Sequence, residues 1–231
     1  LDEVVVISED GDINSCHMDA GRCDGWAFED ASDLTLLDVA AGDVDGDAVS
    51  EVVLLLDTGS NTLIYVHNHD HETKDQEPSY QMQVEDITRI DVGDLDGDRV
   101  AEIVALHNVN SIPVWPEDDE LLVFNIADAP SSDLDGPGVL TQRADKATSD
   151  LQDLNDIEVA DTDADGFAEI FAVDGSGRVA SYDLEADTLY QRYDRALEAN
   201  SEPFRVALAD ADGDSPSATL MDGPTLALSL I

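Results

Sequence analysis

The stretch "GDVDGDAVSEVVLLL", residues 42–56, places four carboxylates within nine positions and then continues directly into an uninterrupted apolar run. Like charges repel most strongly where the dielectric constant is low, so this much negative charge is unfavourable beside a buried strand unless a cation neutralises it. The stretch therefore predicts a cation-binding loop that leads into a core strand.

The same pattern recurs along the chain. Complete copies occupy residues 43–51, 94–102 and 161–169, and a fourth begins at residue 210, so the first Asp recurs after 51, 67 and 49 residues. We call these segments loops 1 to 4 and number their positions from the first Asp. An apolar segment precedes every loop and another follows each of the first three, which predicts a strand on either side of the loop.

The spacing of the acids suits calcium. Carboxylates at positions 1, 3, 5 and 9, with a backbone carbonyl at position 7, can supply the roughly six to eight oxygen ligands that calcium accepts at about 2.3–2.6 Å. An EF-hand loop begins in the same way but requires Glu at position 12. That position holds Leu54, Ala105, Ala172 and Met221. A loop within a β-hairpin is therefore predicted in place of a helix–loop–helix.

Three complete copies in phase, with a period near 50 residues, resemble the calcium-binding repeats of FG-GAP and VCBS type, which occur in integrin α-subunit propellers and in microbial surface proteins. The resemblance implies Ca²⁺ as the bound ion and a set of ligands carried over by position. These are Asp43, Asp45, Asp47, Glu51 and the carbonyl of Val49 in loop 1; Asp94, Asp96, Asp98, Glu102 and the carbonyl of Val100 in loop 2; and Asp161, Asp163, Asp165, Glu169 and the carbonyl of Phe167 in loop 3.

The chain departs from that family in three ways. The Phe-Gly and Gly-Ala-Pro elements that name the family are absent. Position 6, usually Gly, is Ala48, Arg99 and Ser215 in three of the loops, which costs about 1 kcal/mol each if that position is left-handed. Loop 4 keeps Asp210, Asp212 and Asp214 but has Pro216 at position 7 and Ala218 at position 9. We expect loop 4 to be a weaker fourth site or an empty one.

The period predicts an all-β fold of four-stranded antiparallel blades, a β-propeller with the calcium loop between strands 1 and 2 of each blade. One blade is predicted at 34–40, 51–56, 62–67 and 80–84, with its second strand buried on both faces. We treat residues 1–231 as a single domain of about five blades' worth, part of a larger propeller. Its blade pieces are approximately 1–30, 31–85, 86–145, 155–194 and 204–231.

Composition restricts the partners. The 54 acidic and 10 basic side chains give a formal charge of −44, which argues against binding nucleic acid through a basic patch. The acidity resembles that of halophilic proteins, whose charges are screened by concentrated salt. No apolar run reaches the roughly 18 residues that span a bilayer, so no membrane insertion is expected of this segment. Because the sequence starts at Leu1 instead of Met, we expect a processed or excised piece.

Other residues suggest further features. Cys16 and Cys23 lie in a Gly- and Asp-rich stretch that reads as a loop, and an extracellular setting favours a disulfide between them, with two buried thiols as the alternative. His67, His69 and His71 alternate, as a transition-metal site would require, although a solvated strand end is the favoured interpretation. Trp26 and Trp115 could stack on sugars or pack between blades.

The interval of 67 residues between loops 2 and 3 is the longest, and its extra length is assigned to the Pro- and Gly-rich segments 108–119, 128–138 or both. The segment 108–119 is the leading candidate for partner binding. No catalytic motif occurs in the sequence. The preferred hypothesis is thus a non-enzymatic, extracellular or cell-surface calcium-binding propeller that serves adhesion, recognition or surface assembly. Its expected partners are a protein or glycan ligand, or copies of itself. The alternatives are the propeller of a secreted carbohydrate-active enzyme and a structural subunit of a sheath, filament or envelope.

Overall fold

The computed structural model describes residues 3–7, 12–17, 22–27, 34–67, 80–108, 119–126, 140–148, 154–196, 205–208 and 226–229. Within these ranges every regular element is a β-strand. No helix in this part of the chain is long and apolar enough to cross a membrane.

The strands form five antiparallel sheets in chain order, which we number 1 to 5. Sheet 1 contains β1 (Glu3–Ile7), β2 (Asp12–His17) and β3 (Arg22–Ala27). Sheet 2 contains β4 (Thr35–Gly42), β5 (Glu51–Asp57), β6 (Thr62–His67) and β7 (Tyr80–Val84). Sheet 3 contains β8 (Ile87–Gly93), β9 (Glu102–His107), β10 (Glu120–Ile126) and β11 (Leu140–Ala147). Sheet 4 contains β12 (Leu154–Ala160), β13 (Glu169–Asp174), β14 (Arg178–Glu185) and β15 (Thr188–Ala196), and sheet 5 contains β16 (Arg205–Leu208) and β17 (Leu226–Ser229).

The prediction of an all-β chain with four-stranded antiparallel sheets is confirmed for sheets 2, 3 and 4. In each of them, every strand pairs with the next strand along the chain. The strands of sheet 2 begin and end within two residues of the predicted 34–40, 51–56, 62–67 and 80–84. The alternation of apolar segments with acidic loops along the sequence was sufficient to predict where these strands lie.

The second strands of sheets 2 and 3, β5 and β9, are buried on both faces because their alternate side chains enter different cores. On β9, Ile103 and Ala105 pack into the core shared with sheet 2. Their neighbours Val104 and Leu106 pack into the core shared with sheet 4. The apolar run of β9 therefore belongs to a strand covered on both sides by neighbouring sheets.

The first strands of sheets 2 to 5 lie side by side, so that β4 contacts β8, β8 contacts β12 and β12 contacts β16. Carboxylates link them: Asp38 accepts the N–H of Ile90 at 3.1 Å, and Asp91 accepts that of Val159 at 2.6 Å. The backbones approach so closely that a Cβ at Gly93 would lie 2.4 Å from Cγ1 of Val159. Glycine is required there by the neighbouring sheet.

Two of the sequence-based placements are corrected. Cys16 and Cys23 do not lie in a loop, because each occupies a strand and the two are direct partners in the β2–β3 register. The Cα separation of an antiparallel pair falls within the range that a disulfide spans, so the disulfide stays a prediction. His67 is not a solvated strand end, since it is buried on β6.

Several predicted features lie outside the described residues. They are His69, His71, Trp115, nearly all of 108–119, the whole of 128–138, and the loop 4 residues Asp210, Asp212 and Asp214. Trp26 lies on β3, opposite Ile13 of β2.

Asp91 generates a pH-dependent prediction. Burial raises its pKa to about 6, and the charges of Asp38 and Asp156 add to the effect. Its folded-state pKa therefore lies above the unfolded value of about 3.9. The folded state binds this proton more tightly than the unfolded state, which adds to the free energy of unfolding. This contribution is complete below about pH 3.9 and is lost as the pH rises through about 6. Asp91→Asn removes the buried charge and keeps an acceptor for Val159, but its amide replaces the oxygen that accepts the N–H of Val92. The variant should therefore gain stability relative to wild type as the pH rises from 4 to 8.

The measurement is a series of thermal melts from pH 4 to pH 8 at fixed high salt and fixed calcium. The melting temperature of Asp91→Asn relative to that of wild type should rise from pH 4 to pH 8. Asp145→Asn, at an exposed position on β11, controls for the loss of a charge. A pH-independent difference would contradict the assignment.

Candidate metal centres

Loops 1, 2 and 3 occupy the same junction in three successive sheets. Each follows the last residue of the first strand and ends at the first residue of the second strand. The position-9 glutamate is paired with the residue that precedes position 1: Glu51 with Gly42, Glu102 with Gly93, and Glu169 with Ala160. Strand pairing therefore places the position-9 glutamate of each loop beside the residue at which that loop begins.

The aspartates shape the loops by accepting backbone hydrogen bonds. In loop 1, Asp43 Oδ1 accepts the N–H of Gly46 at 2.8 Å and Oδ2 accepts that of Ala48 at 2.9 Å. Asp94 makes the equivalent bonds to Gly97 and Arg99 in loop 2, at 2.7 and 2.8 Å. The aspartates at positions 3 and 5 each accept the N–H two residues further on. These Asx-type bonds curl the backbone around the carboxylates.

The curl requires left-handed backbone at positions 4 and 6. Position 4 has φ of 82°, 78° and 60° in loops 1, 2 and 3, and position 6 has 68°, 74° and 92°. Loops 1 and 2 have Gly at position 4 only, whereas loop 3 has Ala164 there and Gly166 at position 6. Each of loops 1, 2 and 3 therefore holds one non-glycine residue in a strained conformation. For Ala48 and Arg99 this confirms the left-handed position 6 considered from the sequence.

The position-9 glutamates are aimed into the loops by a bond that sequence reasoning missed. Oε2 of Glu51 accepts the N–H of Val44 at 3.0 Å, and the equivalent bonds in loops 2 and 3 measure 2.8 and 2.9 Å. The position-2 residues Val44 and Leu95 are themselves 1% exposed. The apolar residue at position 2, between the acids at positions 1 and 3, was the feature of the sequence from which this hydrogen bond could have been predicted.

Glu51 is the clearest sign that a ligand belongs in loop 1. Its side chain is 0% exposed. Its second oxygen, Oε1, has no hydrogen-bond partner among the described residues. A buried acceptor without a partner is costly, and a metal ion at the loop centre would provide one.

Most of the predicted carboxylate ligands converge. In each loop, the oxygens of one group lie within 4.8 Å of one another. The groups are Asp43, Asp45 and Glu51; Asp94, Asp96 and Glu102; and Asp161, Asp163, Asp165 and Glu169. Asp47 and Asp98 do not join these groups, although Asp165 at the same position does. The carbonyls of Val49, Val100 and Phe167 stay predicted ligands.

The charge at these centres is unfavourable without a cation. Burial, together with the charges of Asp45, Asp47 and Asp43, raises the pKa of Glu51 to about 7. Burial also raises the pKa of Glu102 to about 7 and raises that of Glu169. Such acidic groups could hold a metal ion, which would stabilise their ionised forms.

Consecutive loops are in direct contact. The carbonyl of Asp43 accepts the N–H of Ala101 in loop 2, and the carbonyl of Asp94 accepts that of Ala168 in loop 3, both at 2.7 Å. The ring of Phe167 lies against Gly97, where a Cβ would come within 2.8 Å of it. The order of each loop thus depends on the next.

No protein-family model and no curated protein sequence matches the chain. Among solved structures, the Bacillus licheniformis rhamnogalacturonan lyase PL11 is similar, with a TM-score of 0.54 and 15% sequence identity. The match covers 88% of this chain and 46% of the lyase, so the chain spans about half the length of that protein. At this identity the similarity concerns the fold alone.

The strained positions yield a prediction about stability. Ala48→Gly should stabilise the fold by up to about 1 kcal/mol because glycine adopts the left-handed conformation without steric cost. Ala164→Gly should do the same in loop 3, where the strained residue is at position 4. Gly166→Ala should destabilise, although no atom lies within 4 Å of the added Cβ. Denaturant unfolding at fixed salt and calcium measures all three, and unchanged midpoints would show that the loops relax around these residues.

Proposed function

We propose that this chain is the calcium-binding part of a β-propeller that acts outside the cell, without catalysis, in adhesion, recognition or surface assembly. The single observation that carries the proposal is the buried, unpartnered Oε1 of Glu51 beside converging carboxylates, in a loop whose geometry recurs in the next two sheets. The three loops share one geometry and lie at the same kind of strand junction, which favours the same ligand in all three.

The propeller arrangement is supported by the order of the sheets. Consecutive sheets pack face to face through shared cores, and their first strands lie side by side. Such stacking of similar units with a repeated junction is expected of blades. It is also the arrangement that the resemblance to FG-GAP and VCBS repeats implies.

Calcium is favoured over magnesium by the kind of ligand and by the number available. Each loop offers several carboxylate oxygens and a backbone carbonyl, and calcium tolerates the irregular geometry of such a loop, whereas magnesium demands a near-octahedral shell. Three calcium ions would change the formal charge of −44 only to −38. The remaining charge still needs screening, so we propose that the protein works in concentrated salt.

Calcium should contribute substantially to stability. Weak extracellular sites have dissociation constants of about 10⁻⁴ to 10⁻³ M, so about 10 mM calcium would stabilise the fold by roughly 1.4–2.7 kcal/mol per site. A chelator should therefore lower the melting temperature at constant ionic strength, and magnesium should restore less of it than calcium. Calorimetry or circular dichroism measures the change.

Matched variants assign the effect to a loop. Asp45→Asn should remove the part of the calcium stabilisation that comes from loop 1. Asp57→Asn should leave the calcium-dependent change in melting temperature as it is in wild type. Asp57 accepts a backbone N–H at the end of β5 and belongs to none of the converging groups. If melting were indifferent to chelator in every variant, the loops would not be calcium sites and the proposal would fail.

The biological role proposed is recognition. The partner would be a protein or glycan of a surface, or another copy of the chain, and the segment 108–119 around Trp115 is the expected contact. A glycan array and sedimentation analysis in high salt separate these partners. Self-association without ligand binding would favour the structural role in a sheath, filament or envelope.

A carbohydrate-active enzyme is the second candidate, and one observation favours it: the similar solved structure is that of a polysaccharide lyase. Incubating the chain with rhamnogalacturonan in calcium and high salt, and assaying the release of new chain ends, tests this alternative. Turnover that is abolished by heat denaturation would favour the enzyme over the recognition module.

A further inference from the structure

Loop 2 differs from loops 1 and 3 because a guanidinium group enters it. Arg143, on the outer strand β11, places Nη1 at 2.7 Å from Asp96 Oδ2 and at 2.8 Å from Glu102 Oε1. Both carboxylates belong to the converging group of loop 2. Nε of Arg143 also binds Asp187 at 2.5 Å, which joins loop 2 to the β14–β15 turn of sheet 4.

The guanidinium completes the hydrogen bonding of Glu102. Its Oε2 accepts the N–H of Leu95 at 2.8 Å, and its Oε1 accepts both Arg143 and Nδ2 of Asn125, the latter at 3.2 Å. Glu51, at the same position of loop 1, is equally buried but has Oε1 without a described partner. The electrostatic requirement for a metal ion is thus reduced in loop 2.

A β-bulge explains why Arg143 reaches the loop. The β10–β11 register passes from Val123–Ala144 to Phe124–Gln142, which leaves Arg143 as the extra residue. Sheet 4 has an equivalent bulge, since the β14–β15 register passes from Ser181–Tyr193 to Tyr182–Gln191 and leaves Arg192. A bulge redirects the side chain of its extra residue relative to the strand.

The two bulge arginines take different partners. Arg192 binds Asp183 at 2.7 Å and also pairs with Glu185, and its guanidinium lies over the ring of Tyr190. Within the described part of the chain, no Lys or Arg forms an ion pair with a carboxylate of loop 1 or loop 3. Among loops 1, 2 and 3, loop 2 is therefore the one whose carboxylates pair with a cation of the protein itself.

We propose that Arg143 serves as the built-in cation of loop 2, so that this loop stays ordered without calcium and binds calcium more weakly than loops 1 and 3. The inference rests on the proposed calcium-binding function and deepens it. A calcium ion in loop 2 must share Asp96 and Glu102 with a positive charge or displace it, and either course weakens binding by about tenfold or more.

The first test uses the unaltered chain. Hydrogen–deuterium exchange of peptides covering residues 43–50, 94–101 and 161–168 is followed during a calcium titration at fixed high salt. Loops 1 and 3 should gain protection at low calcium, whereas loop 2 should be protected from the start and change only at a concentration about tenfold higher. The proposal would be overturned if all three loops exchanged equally fast without calcium and became protected at the same calcium concentration.

The second test compares Arg143→Gln with Arg192→Gln, which removes the equivalent bulge arginine without touching a loop carboxylate. Equilibrium dialysis against about 1 mM calcium should show about 0.4 more calcium ion per chain bound by Arg143→Gln than by wild type, as a tenfold stronger site gives, and no increase in Arg192→Gln. Equal or lower stoichiometry in Arg143→Gln would overturn the inference, because Arg143 would then not compete with calcium.

These results are distinguishable from failure of the proposed function. If loops 1 and 3 respond to calcium while Arg143→Gln binds no extra ion, the calcium-binding function stands and the role of Arg143 is wrong. If no loop in any variant binds calcium, both are wrong.

Discussion

The structure depends on a carboxylate at the start of each second strand, which is buried in Glu51 and Glu102 and half-buried in Glu169. These glutamates enter the strand pairing, and this places their charge beside an apolar core. The amide at position 2 holds one oxygen of each carboxylate. Each glutamate also lies with an oxygen within 4.8 Å of aspartate oxygens of its loop, so the charge of the hairpin is balanced only when a cation, a proton or a guanidinium is also present.

This requirement extends beyond the loops because the loops and the sheet contacts share a backbone. The carbonyl of Asp94 binds Ala168 in the next loop, while the preceding residue, Gly93, packs directly against Val159. A change in charge at one loop therefore acts on the approach of two sheets. Loss of a cation should loosen the interface between neighbouring sheets as well as the loop itself.

The three loops meet this requirement to different degrees. Loop 1 retains an unpartnered buried oxygen, and loop 2 contains Arg143. In loop 3 the hydroxyl of Thr162 also donates to Oε2 of Glu169, the oxygen that already accepts the amide of Thr162. Equivalent positions in a repeat therefore need not be equivalent sites. The neighbours of each loop decide how strongly its carboxylates require an external ion.

The sequence by itself determined the strands of sheet 2, the three loops and all of their converging acids, although Asp47 and Asp98 were also predicted and do not join the groups. An uninterrupted apolar run and a fixed spacing of carboxylates are local properties, so they can be read without the rest of the chain. Only the tertiary structure decided which oxygens are satisfied. Arg143 follows Glu102 by 41 residues, and it reaches that glutamate because a bulge turns it there. The pairing of Cys16 with Cys23 across β2 and β3, and the burial of His67, were likewise decided by strand register, which sets neighbours that residue spacing does not reveal.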